Sequence, residues 1–159
     1  MKKPDSLRDL LLYLVPGLKE DPGRLSVFVD KGQILSLAGR SLSFEYRYTA
    51  NVVVQDYAGD DNALFVPVLA WIAQHQPDLL KRRDSDPFTF EAELLETGAK
   101  DVSLQLDLSE RVRVVARDAG GFEVTYLDRP MPLDDGDHFE GVCGVVLREG
   151  LAGPELVAP

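Results

Sequence analysis

The chain has 159 residues, 45% of them hydrophobic and 28% charged, which is the composition of one globular domain and of neither a disordered nor a membrane sequence. Its net charge of -10 repels the phosphates of nucleic acid and argues against a DNA-wrapping role, so no specific nucleic-acid partner is expected. One Cys cannot close an internal disulfide, and no apolar run approaches the ~20 residues that span a bilayer; a reducing cell interior, with no export or membrane segment, is the expectation.

Asp5 or Ser6 can cap a first helix through Leu7, Leu10, Leu11 and Leu14, which stops at Pro16 and Gly17. Short apolar segments at 25–29 and 33–38 flank Asp30, Lys31 and Gly32 and read as a hairpin or tight turn. From Leu42 to Val54 apolar residues alternate with Ser43, Glu45, Arg47, Thr49 and Asn51, the pattern of a long strand with one buried face. The same alternation recurs at 88–94 and 102–108, then at Val112 and Val114, and again at 122–126 after a turn over 118–121.

Strands that alternate in this way belong to an antiparallel sheet covered on one face, because a parallel sheet buried on both faces gives continuous apolar runs. With two helices available as the cover, the fold class is α+β: a mostly antiparallel sheet, two main helices packed on one face, and an extended C-terminal arm. The domain is assigned to residues 1–127. The arm, 128–159, holds an acidic loop and one apolar segment at 141–147, with Val142, Val145 and Leu147 as its candidate strand.

The second helix, within LFVPVLAWIAQHQPDLL at 64–80, shows no polar face for more than two turns, so both of its sides need a cover. One side fits the sheet; the other needs the first helix, a fold-back of the arm, or a neighbouring subunit. Pro67 lacks an N–H, which the first turn tolerates, and so places the start near Ala63 or Leu64. Trp71 becomes a core or subunit-contact anchor, His75 an end group at the helix dipole, and Gln76 with Pro77 the stop.

The common catalytic and nucleotide-binding motifs are absent from the sequence. Asp56, Asp60 and Asp61 could hold Mg²⁺ or share a proton, but their place between a strand and a helix suits capping and turn formation, with Gly59 making the turn. His138 with Asp134, Asp135 and Asp137 departs from the calcium-loop pattern and reads as a solvated acidic turn. Cys143 lies in an apolar segment without a nearby base, as a small hydrophobe would. Lys81, Arg82 and Arg83, followed by Asp84 and Asp86, form a solvated loop. No metal or cofactor is expected.

The block SLSFEYRYTANVVVQDYAGD at 41–60 and the helix that follows it resemble the tail completion protein R family of contractile-tailed temperate phages. KPDSLRDLL at 3–11, VFVDKGQI at 27–34, FTFEAEL at 88–94, LSER at 108–111 and RPMPL at 129–133 carry the same resemblance in the same order. It covers residues 3 to 133 and implies a non-enzymatic structural protein of the virion. The implied protein is a terminator-like subunit, in a six-fold ring, that caps the head-proximal ends of tail tube and sheath and docks to neck or head-completion proteins. It would assemble in the host cytoplasm, in a phage or in a headless tail-like particle. On that reading the subunit-interface candidates are Phe65, Leu69, Trp71 and Ile72 on the helix, with Glu45 and Arg47 on the long strand. The rival readings are a monomeric neck or adaptor protein and, with least support, a small Mg²⁺-dependent hydrolase using the three aspartates.

Overall fold

A computed structural model of the chain describes residues 1–36, 41–81 and 86–127. Its elements, in order, are α1 (Lys3–Leu14), a short 3-10 turn at Pro22–Arg24, β1 (Leu25–Ser36), β2 (Phe44–Tyr57), α2 (Asp61–His75), α3 (Asp78–Lys81), β3 (Thr89–Leu94), β4 (Lys100–Ala116) and β5 (Phe122–Leu127). The strands form one five-stranded sheet in the order β1-β2-β4-β3, with β5 also on β4. Every pairing is antiparallel, and α1 and α2 pack on one face, so the α+β class stands. The proposed arm, including Val142, Val145 and Leu147, lies outside the described residues, as do His138, Cys143, Arg82, Arg83, Leu37 and Ala38.

The core lies between the helices and the even-numbered residues of β2 and β4. Leu7 and Leu11 of α1 and Leu64, Val68, Trp71 and Ile72 of α2 meet Ala50, Val52, Val54, Val102, Leu104 and Leu106, all buried. Positions i, i+4, i+7 and i+8 put these α2 side chains in one stripe, and the period of two aligns the strand residues on one face.

Four local expectations need correction. First, β1 is one strand: the residues read as a turn form a bulge between Val29 and Lys31, where the register against β2 shifts. An extra residue reverses the alternation, so Leu25, Val27 and Val29 share the helix-side face with Gly32 and Ile34. Second, α1 starts at Lys3 without a side-chain cap from its own N-terminus, rather than at Asp5 or Ser6. Its first amides are instead met by Glu110, described below.

Third, Pro67 does not mark the first turn of α2. The helix starts at Asp61 behind an Asp60 cap, and Pro67 lies inside it, buried against the core. The missing N–H leaves the Ala63 carbonyl without its helical donor, a local cost that packing of the ring against the interior offsets. Fourth, the alternation at 102–108 and the pair Val112 and Val114 belong to one strand, because β4 runs unbroken through Ser109 and Glu110 from Lys100 to Ala116.

The turn expected at 118–121 is present, with Gly120 and Gly121 both at positive φ, 88° and 87°. β3 lies at the sheet edge and all six of its residues are exposed, although its apolar side was expected to be covered.

Candidate assembly surfaces

α2 shows how the unusual residues of its sequence are used. Asp60 Oδ1 accepts the Asn62 N–H at 2.7 Å, and Asp61 pairs with Lys100 Nζ at 2.5 Å. At the other end Trp71 donates its indole N–H to Ser6 Oγ of α1 at 3.1 Å and stacks on His75 with ring centroids 4.8 Å apart. His75 Nδ1 lies 3.1 Å from the Trp71 carbonyl oxygen. Trp71 and Ile72 are therefore interior residues of a single subunit, buried among Leu7, Leu64 and Val68 and held off its outer surface.

The opposite side of α2 is different. Val66 and Leu69 are 39% and 37% exposed, and Ala70 and Ala73 beside them are partly open. Phe65 leans to the sheet edge, where its ring centroid stands 4.7 Å from Phe90 and 5.9 Å from Phe88. An apolar ridge thus runs from the middle of α2 to the β3 edge, where a helix on a finished surface would carry polar residues. Of the four expected α2 contacts, Leu69 and Phe65 lie on this ridge.

Glu45 and Arg47 lie on the sheet face away from the helices. The Glu45 carboxylate is clamped by Arg47 Nε at 2.7 Å and by Arg111 Nε of the paired strand at 3.2 Å. The Arg47 hydrogen bond holds the Glu45 carboxyl below its ordinary range, against the opposing effect of burial and with added help from Arg111. The Glu45 carboxylate is thus occupied within its own subunit.

Beyond the helices the sheet continues. β4, at 17 residues, is ~55 Å long, whereas α2, at 15 residues, covers only ~22 Å. The outer half of β4 pairs with β2 and β5, and β2 in turn with β1, to give a four-stranded platform. Its helix-side face carries Ile34, Phe44, Tyr46, Val114, Phe122 and Val124, as strand register requires. Alternation in the sequence marks these residues as one face; it cannot tell that the helices stop short of them.

At the step between helices and platform lies a polar joint. Glu110, 6% exposed, accepts the Lys2 N–H at 2.8 Å, the Lys3 N–H at 3.4 Å and the Tyr48 hydroxyl. Burial, first, and the neighbouring Glu110 carboxylate, second, push the Tyr48 phenol far above its ordinary range. Beside it, β4 has an edge gap between the segments paired to β3 and to β5. Gln76 fills this gap: its Oε1 accepts the Ser109 N–H at 3.3 Å, and its Nε2 donates to Ser109 Oγ at 3.3 Å and Asp78 Oδ1 at 2.8 Å. A side-chain amide here substitutes for a strand.

The joint opens into a cleft of about 350 Å³ lined by Lys2, Lys3, His75, Glu110, Arg111 and Tyr126, among others. Its polar groups serve each other: Lys3 Nζ donates to the His75 carbonyl at 2.6 Å, and Lys2 Nζ sits 4.8 Å from the centre of the Tyr126 ring.

The three aspartates are dispersed into structural work. Asp60 caps, Asp61 pairs, and Asp56 sits at φ 50° with its N–H donating to Asp101 Oδ1 at 2.9 Å. Gly59 passes so close to Tyr57 that an added Cβ would lie 2.5 Å from the phenol oxygen. Among the described residues, no group of three or more His, Cys, Asp or Glu is placed to hold a metal ion.

Comparison with known proteins places the chain among phage tail proteins. Residues 1–130 match the model of a family described as P2 phage tail completion protein R (GpR). The chain is also 44% identical over 134 residues to "Tail completion protein R" of Escherichia phage P2, an alignment covering 83% of this chain and 86% of the relative. No solved structure matches it.

Proposed function

The chain belongs to the P2 phage tail completion protein R family, and from that premise we propose that it is a terminator-like subunit that closes the head-proximal end of a contractile tail. As a tail completion protein it is a structural component of the phage tail and an associate of other tail components. The finer reading is a six-fold ring that caps tube and sheath and offers a surface to the neck, assembled in the host cytoplasm.

The observation that carries the ring is the ridge of Val66, Leu69 and Phe65. An apolar helix face left open on one subunit is a contact surface, and a head-to-tail contact whose rotation closes gives a ring. β1 adds to it, since among the described residues this 12-residue strand pairs on one side only and leaves a long edge for a neighbour. In the assembled tail the arm 128–159 would pair residues such as Val142, Val145 and Leu147 with an adjacent sheet, of sheath or of a neighbouring subunit. The acidic charge suits a ring through which DNA passes without sticking.

Tail assembly in the presence of the chain with residues 134–159 deleted tests the arm. The expected product is a folded protein whose tails fail to terminate or lose their sheath. Normal tails would remove the arm from the mechanism.

A further inference from the structure

The platform raises a question separate from the ring. Ile34, Phe122 and Val124 are 66%, 59% and 58% exposed, and with half-buried Phe44 and Val114 they form one apolar sheet face, bordered on the helix side by Tyr46, which packs against the core. The opposite platform face mixes Val115 and Leu127 with Arg47, Arg111, Arg113 and Glu123, so the helix-side face is the more continuously apolar of the two.

We propose that this face is the docking surface for the apolar run at 142–147 of the same chain, which covers it in the free subunit. Three observations support the choice of occupant. The first is where the chain leaves the sheet. β5 runs from the platform tip at Phe122 back to Leu127 at the helix step, so the residues that follow emerge at the inner border of the face.

The second is reach. Residues 128–140 span ~40 Å when extended, whereas the return from the step to the tip is the length of β5, ~20 Å. The spacer has the slack to reverse direction. It includes Pro130, Pro132 and Gly136, which suit a turn more than a helix or a central strand.

The third is chemistry. VCGVVL at 142–147 has no charged or strongly polar side chain, and its β-branched residues suit extended packing on a sheet. Asp134, Asp135, Asp137 and Glu140 precede it, and the step they would cross carries Lys2, of opposite sign. A segment tethered this closely is present at millimolar effective concentration, so it takes the face before a second copy at ordinary dilution. Pairing of the arm with a neighbouring sheet during assembly would then be an exchange, but the docking itself does not depend on the ring.

The chain's single Cys, Cys143, lies inside the run and supplies the probe. Val124→Cys places a second thiol on the apolar face, and Glu123→Cys places one on the same strand facing the other way. Both full-length variants would be oxidised at low micromolar concentration and analysed by non-reducing gel and peptide mass mapping. Phe122→Cys provides a second position on the face. The expected result is an intramolecular 124–143 or 122–143 disulfide, formed at least roughly tenfold faster than any 123–143 bond. Equal yields from the two faces, or no bond at 122 or 124, would overturn the proposal. Predominance of disulfide-linked dimers at 124 would also overturn it, by assigning the face to a second copy.

Discussion

The Glu110 carboxylate accepts the Lys2 main-chain N–H at 2.8 Å, so a residue in the middle of β4 caps α1 across 108 residues of sequence. The same carboxylate takes the Tyr48 hydroxyl and stands at a core-facing position of the strand. One buried group therefore fixes the helix start, the β2–β4 pair and the step to the platform.

Glu110→Ala leaves the Tyr48 hydroxyl and two helix amides without their acceptor. It should lower unfolding stability by about 3 kcal/mol in a denaturant titration. Lys2→Ala keeps the backbone donor and removes only an exposed ring contact, so its effect should stay below about 1 kcal/mol. Equal losses from the two variants would show that the lysine side chain, and not its amide, holds the joint.

This joint also shows why some of the fold was legible in the sequence and some was not. The alternation from Phe44 to Val54 and from Val102 to Leu108 identified the core face of the two central strands, because a period of two survives whatever covers the sheet. Glu110 occupies an apolar slot of that pattern, and so it read as a break; its partners are distant in sequence. The bulge after Val29 reversed parity and imitated a turn. Pro67 misled because first-turn tolerance is a local rule, while its real position depends on the Asp60 cap and the packing of the ring. Phe65 and Leu69 could be chosen from the all-apolar helix, but sequence could not separate them from Trp71 and Ile72. That division follows from which side the sheet occupies.

Gln76 should prove a structural residue despite its polarity. Gln76→Ala opens the β4 edge at Ser109 and removes a fully buried amide, with an expected loss of about 2–3 kcal/mol by denaturant titration. A neutral result would mean that water replaces the amide at that edge without cost.

The aspartates separate a structural protein from a hydrolase. Asp60→Ala should cost about 1 kcal/mol through loss of the α2 cap. Mg²⁺-dependent turnover by the purified protein that vanishes in this variant would instead support the enzyme reading.

Two pH limits follow from the shifted groups. Glu45 titrates below its ordinary value of 4.5 in the folded chain, so its contribution is present above pH about 4.5 and is lost as the pH falls through the lower folded value. Glu45→Gln should flatten the acid limb of the stability profile. Burial, and behind it Asp60 and Asp61, push the Tyr57 phenol from 10.0 up to about 12. The unfolded chain then loses this proton first, so the contribution is full below pH 10.0 and declines as the pH rises through about 12. Thermal melts of Tyr57→Phe and Tyr48→Phe between pH 8 and 12 should show a shallower alkaline decline than the parent chain.

The ring is tested most directly by light scattering on the purified full-length chain, with and without tail tube protein, beside Leu69→Asp. The account predicts a hexamer-sized particle for the parent chain in at least one condition, and a folded monomer in both for Leu69→Asp. A parent chain that stays monomeric with tube present would contradict it.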